Sequence, residues 1–87
     1  MTRNFDNIQG FYKFIDEISL QLQKEGFKEE GQKIYSYIHE VAWTTSSELL
    51  GELSIIFKKL KNQNKLPVSL RKDIDISLKT IKAYWNK

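Results

Sequence analysis

The chain has 87 residues, of which 40% are hydrophobic and 29% charged, with a formal net charge of +3. That composition supports one packed core over residues 1–87 and excludes both a two-domain architecture and a disordered chain. Cysteine is absent, which excludes a disulfide framework, a thiolate metal site and a cysteine nucleophile, and suits a reducing compartment. One proline and four glycines are too little punctuation for many short strands, whereas the plentiful Leu, Ile, Lys, Glu and Gln favour helix. The expected fold class is all-α, a single small antiparallel four-helix bundle.

The opening residues Met1, Thr2, Arg3, Asn4, Phe5 and Asp6 give no apolar leader core, and no run reaches the roughly 20 apolar residues of a membrane span. A cytoplasmic location without membrane contact is the expectation. Ile8, Phe11, Ile15, Ile18 and Leu22 recur at steps of three and four, predicting a first helix over about residues 5–25. Gly26 stands where a left-handed C-terminal cap is wanted, with Phe27 placed to fold back over the helix end.

A second helix is predicted from about Lys28, with Glu29 and Glu30 against its positive N-terminal end and a core stripe of Ile34, Ile38 and Val41 flanked by Tyr37. In this reading Gly31 does no more than weaken the first turn. Thr45 and Glu48 have the spacing of a capping box and mark the start of a third helix. Leu49, Leu53, Ile56 and Leu60 lie on one of its faces beside Leu50 and Phe57, and Gly51 suggests a close helix crossing. After the polar run Asn62, Gln63, Asn64, the fourth helix begins near Pro67 to Ser69 and carries Leu70, Ile74, Leu78, Ile81 and Trp85. Short connections between four such helices favour sequential antiparallel packing.

Charge divides along the chain. Residues 1–52 hold nine acids and five bases, and residues 53–87 two acids and nine bases. Lys58, Lys59, Lys61, Lys65, Arg71 and Lys72 fall in a stretch without any acid. Such a cluster suits nucleic-acid phosphates or an acidic protein surface, and equally suits a solvated helix end whose dipole it complements. The acids Asp16, Glu17, Glu29, Glu30 and Glu40 lie off the apolar stripes and should be exposed, either as ordinary surface charge or as a face for a basic partner.

On an ideal helix with Ile34 pointing at the core, Tyr35 falls at about 100°, His39 at about 140° and Trp43 at about 180°. These aromatics therefore form a second stripe, which is either displayed for binding or covers the ends of a small core.

Chemistry finds little footing. His39 is the sole histidine, so two-histidine metal sites are impossible, and the acids show no spacing for a carboxylate cage. Thr44, Thr45, Ser46 or Ser47 with His39 as base would be the only hydroxyl nucleophiles to consider, but capping the third helix accounts for them. The glycines stand singly, so no phosphate-cradling loop is present. No enzyme, cofactor or metal is expected.

The segment Ala42, Trp43, Thr44, Thr45, Ser46, Ser47, Glu48, Leu49, Leu50, Gly51, Glu52, Leu53 resembles small helical bacterial proteins of unassigned function, some of them similar to immunity proteins encoded beside polymorphic or contact-dependent toxins. The resemblance covers these twelve residues. It implies a cognate inhibitor that binds one toxin domain, possibly a nuclease with a basic surface, and it transfers no site residues. Combined with the charge division, it makes Asp16, Glu17, Glu29, Glu30, Tyr35, His39, Glu40 and Trp43 the expected partner-binding set. The alternative is a small nucleic-acid-binding or regulatory protein using the Lys58 to Lys72 cluster.

Overall fold

The computed structural model describes residues 8–43 and 45–85, with only the backbone of Ser46 and Trp85. Four helices follow in order, α1 (Ile8–Lys24), α2 (Lys28–His39), α3 (Ser46–Lys61) and α4 (Val68–Trp85). The expected start of the first helix at residue 5 and the core role of the Trp85 side chain lie outside the described residues. Helices α1 and α2 form one antiparallel pair and α3 and α4 the other, and α1·α4 and α2·α3 contacts close the ring. Antiparallel order is visible in the contacts themselves. Phe11, near the start of α1, meets Tyr84 near the end of α4, and Lys61 at the end of α3 reaches Asp75 on α4.

Local chemistry explains each helix end. Gly26 adopts φ +93°, the left-handed conformation that glycine takes without penalty, and the Phe27 amide donates to the Leu22 carbonyl at 2.8 Å. This is the six-residue closure of a Schellman cap, and Phe27 packs on the core as the motif requires. At α3, extended Thr45 accepts a bond from the Glu48 amide on its hydroxyl at 3.3 Å, the half of the expected capping box in which the N-cap side chain takes the amide three residues on. The Pro67 carbonyl takes the first helical bond of α4, from the Arg71 amide, so Pro67 sits one position ahead of the first turn.

The core runs through all four helices. Phe11, Ile15, Ile18 and Leu22 meet Ile34, Leu53, Phe57, Leu60, Leu70, Ile74 and Ile81, with Leu49, Leu50, Ile56 and Leu66 also buried. Ser19, Ser54 and Ser77 are buried as well, and periodicity in apolar residues does not mark them. Each turns its hydroxyl back onto a carbonyl of its own helix, Asp16, Gly51 and Asp73 respectively. Small side chains thus enter the interior without leaving a donor unpaired.

Two expectations for α2 need correction. Val41 is 40% exposed rather than in the core, because the helix stops at His39 with Glu40 as its cap. Gly31 is more than a weak first turn. A Cβ placed there would lie 2.6 Å from the Ser19 carbonyl oxygen and 2.7 Å from Gln23 Cγ, so the missing side chain is what lets α2 approach α1. Helix α2 buries only Gly31 and Ile34 completely, and Ile38 and Tyr37 pack on the core from its edge.

Candidate functional site

On the seam between α1 and α2, the His39 Nε2 lies 2.8 Å and 2.9 Å from the two carboxylate oxygens of Asp16. A carboxylate can only accept, which assigns the proton to Nε2. The His39 ring also packs on Tyr35, with centroids 4.5 Å apart and planes tilted by 42°. Asp16, His39 and Tyr35 therefore form a row across the seam. Asp16, expected to be exposed, is half-buried through this contact with α2.

Beside the row, Leu20, Gln23, Gln32, Lys33, Tyr35, Ser36 and Glu40 line a shallow groove. Leu20 is 55% exposed and Tyr35 44% exposed, so two large apolar groups stand in solvent on the same surface. Exposed apolar groups standing among amides and charges are the ordinary composition of a protein contact. Leu20 escapes a sequence reading because it falls outside the core stripe of α1 and looks like incidental surface.

Glu29, Glu30 and Trp43 do not join this surface. Trp43 is not on the helix at all. With α2 ended, the chain turns and the Trp43 indole packs edge-on against Tyr37, 5.3 Å between centroids and 89° between planes. Its Nε1 donates to the Tyr37 carbonyl at 2.6 Å, which satisfies one of the carbonyls that the end of α2 leaves open. The displayed stripe is thus cut after His39, and Trp43 covers the core edge. Glu29 and Glu30 lie at the opposite end of α2, about 15 Å along its axis from His39, and line a separate groove toward α3 with Lys33, Lys59 and Gln63. Glu17 and Glu40 are exposed.

The basic cluster is likewise divided by the fold. The Arg71 guanidinium donates to the Lys61 carbonyl at 2.7 Å and to the Gln63 carbonyl at 2.9 Å, closing the C-terminal end of α3 with two bonds and a positive charge on its dipole. Lys61 pairs with Asp75 at 2.9 Å, and Lys79 pairs with the same carboxylate at 3.3 Å. The Lys61 ammonium, with Lys79 beside it, holds the Asp75 carboxyl below its ordinary range. Lys58, Lys59, Lys65 and Lys72 are exposed and enter no ion pair among the described residues. Lys59 faces the groove shared with Glu29 and Glu30, whereas Lys58 faces Lys79 and Lys82 of α4.

The division of charge along the chain persists between the two helix pairs but is weaker than the linear count. Glu48 and Glu52, counted with the acidic half, belong to α3. Residues 8–43 hold six acids and four bases, and residues 45–85 four acids and eight bases, so the basic side is the more strongly biased of the two.

As for catalysis, Thr45 is occupied in capping, and Thr44 and the Ser46 side chain lie outside the described residues. Nε2 of His39 is engaged by Asp16. No group of three or more His, Cys, Asp or Glu able to hold a metal occurs among the described residues, and no described helix is long and apolar enough to cross a membrane.

The segment Ala42 to Leu53 becomes the α2–α3 connection and the first turns of α3. Leu49, Leu50 and Leu53 are core residues and Thr45 is the cap, so most of that pattern serves folding. No family model, curated protein or solved structure matches the chain.

Proposed function

We propose that this chain is a protein-binding module of the immunity type, which neutralises a bacterial toxin domain by direct contact through the α1–α2 seam. The observation that carries the binding reading is the exposed pair Leu20 and Tyr35, set beside His39 and Glu40 on one side of the bundle. Two large apolar groups side by side in solvent add nothing to folding and gain hydrophobic free energy only when a partner covers them. Tyr35 is held in place by the His39 ring, and His39 by Asp16, so the contact is ordered before a partner arrives and loses little side-chain entropy on binding. The toxin as partner comes from the resemblance of the Ala42 to Leu53 segment. Glu40, which lines the groove, favours a target with a basic surface.

The test compares wild-type protein with a Leu20→Glu, Tyr35→Ala variant, retained on a column from lysate of the native cell, with circular dichroism to verify the fold. We expect wild type to retain a protein that is toxic when expressed alone and harmless when expressed with this chain, and the variant to lose both retention and protection. Identical retention by the two proteins, or a retained partner without toxicity, refutes the proposal.

A further inference from the structure

We propose that the outer seam between α3 and α4 is a second docking groove, shaped for an acidic, leucine-bearing helical segment of another protein. Six residues line it, Ser54 and Lys58 from α3 and Leu78, Lys79, Ile81 and Lys82 from α4. The floor is carbon. Leu78 and Ile81 supply it, and Ser54 adds to it because its hydroxyl is turned away onto the Gly51 carbonyl. Ser54 also makes the depression, since a larger residue there would fill the space between the helices. Three lysines line the groove with this floor and no acidic residue does.

The fold accounts for only part of that charge. Lys79 is held by Asp75, but Lys58 and Lys82 are exposed and make no ion pair among the described residues. Like charges gathered at one seam repel one another and stabilise nothing by themselves, and an occupant with the opposite charge reverses that term. Its other requirement comes from the floor. An apolar trough between two antiparallel helices accepts the ridge of a third helix, with leucines spaced three and four residues apart on the buried face and Glu or Asp at the edges. A nucleic acid would meet the lysines, but the groove offers its bases no aromatic ring to stack on and no side-chain amide or guanidinium to read an edge. The seam belongs to α3 and α4 and lies outside the α1–α2 surface, so this inference stands or falls separately from the proposed function.

The experiment uses the full chain and a fluorescein-labelled helical peptide of about 18 residues with Leu at the i, i+3, i+4, i+7 positions and Glu flanking them. Fluorescence anisotropy gives its affinity. Three controls accompany it: the same peptide with Leu replaced by Gln, a DNA duplex, and vesicles containing phosphatidylserine. We expect the Leu/Glu peptide to bind, and Lys58→Glu with Lys82→Glu to weaken it by at least about tenfold. Lys24→Glu with Lys28→Glu, the same charge change on the α1–α2 side, should leave the affinity within about twofold, because those residues are exposed and lie outside the groove. Circular dichroism checks that each variant folds. Absence of binding, equal binding by the Lys58/Lys82 variant, or equal binding of the Gln-substituted peptide overturns the proposal. DNA or vesicles binding at least as tightly, and losing affinity in the same variant, would mark the seam as a general polyanion surface and overturn it too.

Discussion

Replacing Gly31 with alanine adds a single methyl group at the closest approach of α1 and α2. The added carbon would lie 2.6 Å from the Ser19 carbonyl oxygen and 2.7 Å from Gln23 Cγ, both well inside van der Waals contact. The Gln23 side chain can rotate away. The Ser19 carbonyl belongs to the hydrogen-bonded backbone of α1, so relief there requires the helices to separate. Overpacking of this kind costs about 1–3 kcal/mol, while alanine in a helix gains about 1 kcal/mol over glycine. Because the nearest obstacle is backbone of α1 and not the end of a flexible side chain, the steric term falls in the upper part of its range and should win by about 1–2 kcal/mol. For a domain of this size that is a fall in Tm of about 5–15 °C, measured by thermal and urea denaturation followed at 222 nm.

Two companion variants separate the causes. Gln23→Ala on the Gly31→Ala background should recover only a minor part of the loss, since the carbonyl contact remains. Gly26→Ala has no neighbour within 4 Å but a φ of +93°, so its cost of about 1 kcal/mol is backbone strain, indifferent to Gln23. An alanine at Gly31 that leaves Tm unchanged or raises it would show that helix propensity outweighs contact there, and the close approach of α1 and α2 would be refuted.

Arg71→Lys keeps the charge but cannot fork onto the Lys61 and Gln63 carbonyls, and should cost about 1 kcal/mol, read as a lower urea midpoint with an unchanged slope. An unaltered midpoint would mean that the cap at the end of α3 is satisfied by solvent. Asp75 gives a pH signature. Its carboxyl is held below the ordinary value by Lys61 and then Lys79, so its contribution is present above the unfolded carboxyl pKa of about 3.9 and is lost as pH falls through the folded value. Asp75→Asn should therefore be slightly less stable than wild type at pH 7, with the difference shrinking as pH falls below the ordinary carboxyl range. The pair is exposed, so the difference at neutral pH should lie within about 1 kcal/mol, and an Asn variant that is more stable at pH 7 would show that the pairs contribute nothing favourable.

Sequence patterns lose their force at the surface of the bundle. Tyr35 and His39 are four apart on a continuous helix, so their adjacency follows from helix geometry. The extension of that stripe to Trp43 assumed that the helix ran on. It ends because Glu40 and Val41 both direct their amides to the Ser36 carbonyl, and nothing in the residue types announces that closure. The Asp16–His39 pair joins positions 23 apart, and Lys58 meets Lys79 and Lys82 only because α3 and α4 run antiparallel. A linear charge count has no access to either juxtaposition.

Helix number, order and core stripes were legible in the order of residues, because hydrophobic spacing and caps are local, acting within a turn or two of backbone. Ile15, Leu22, Ile34, Leu53 and Ile81 are buried where their periodicity puts them, and Gly26 and Thr45 close and open helices as their chemistry requires. Distances across the bundle settled the rest. Gly31 gained its role from the Ser19 carbonyl facing it, Arg71 from the open end of α3, and Leu20 from having no helix packed over it. Each depends on which element lies opposite, and that is set by the joint packing of all four helices.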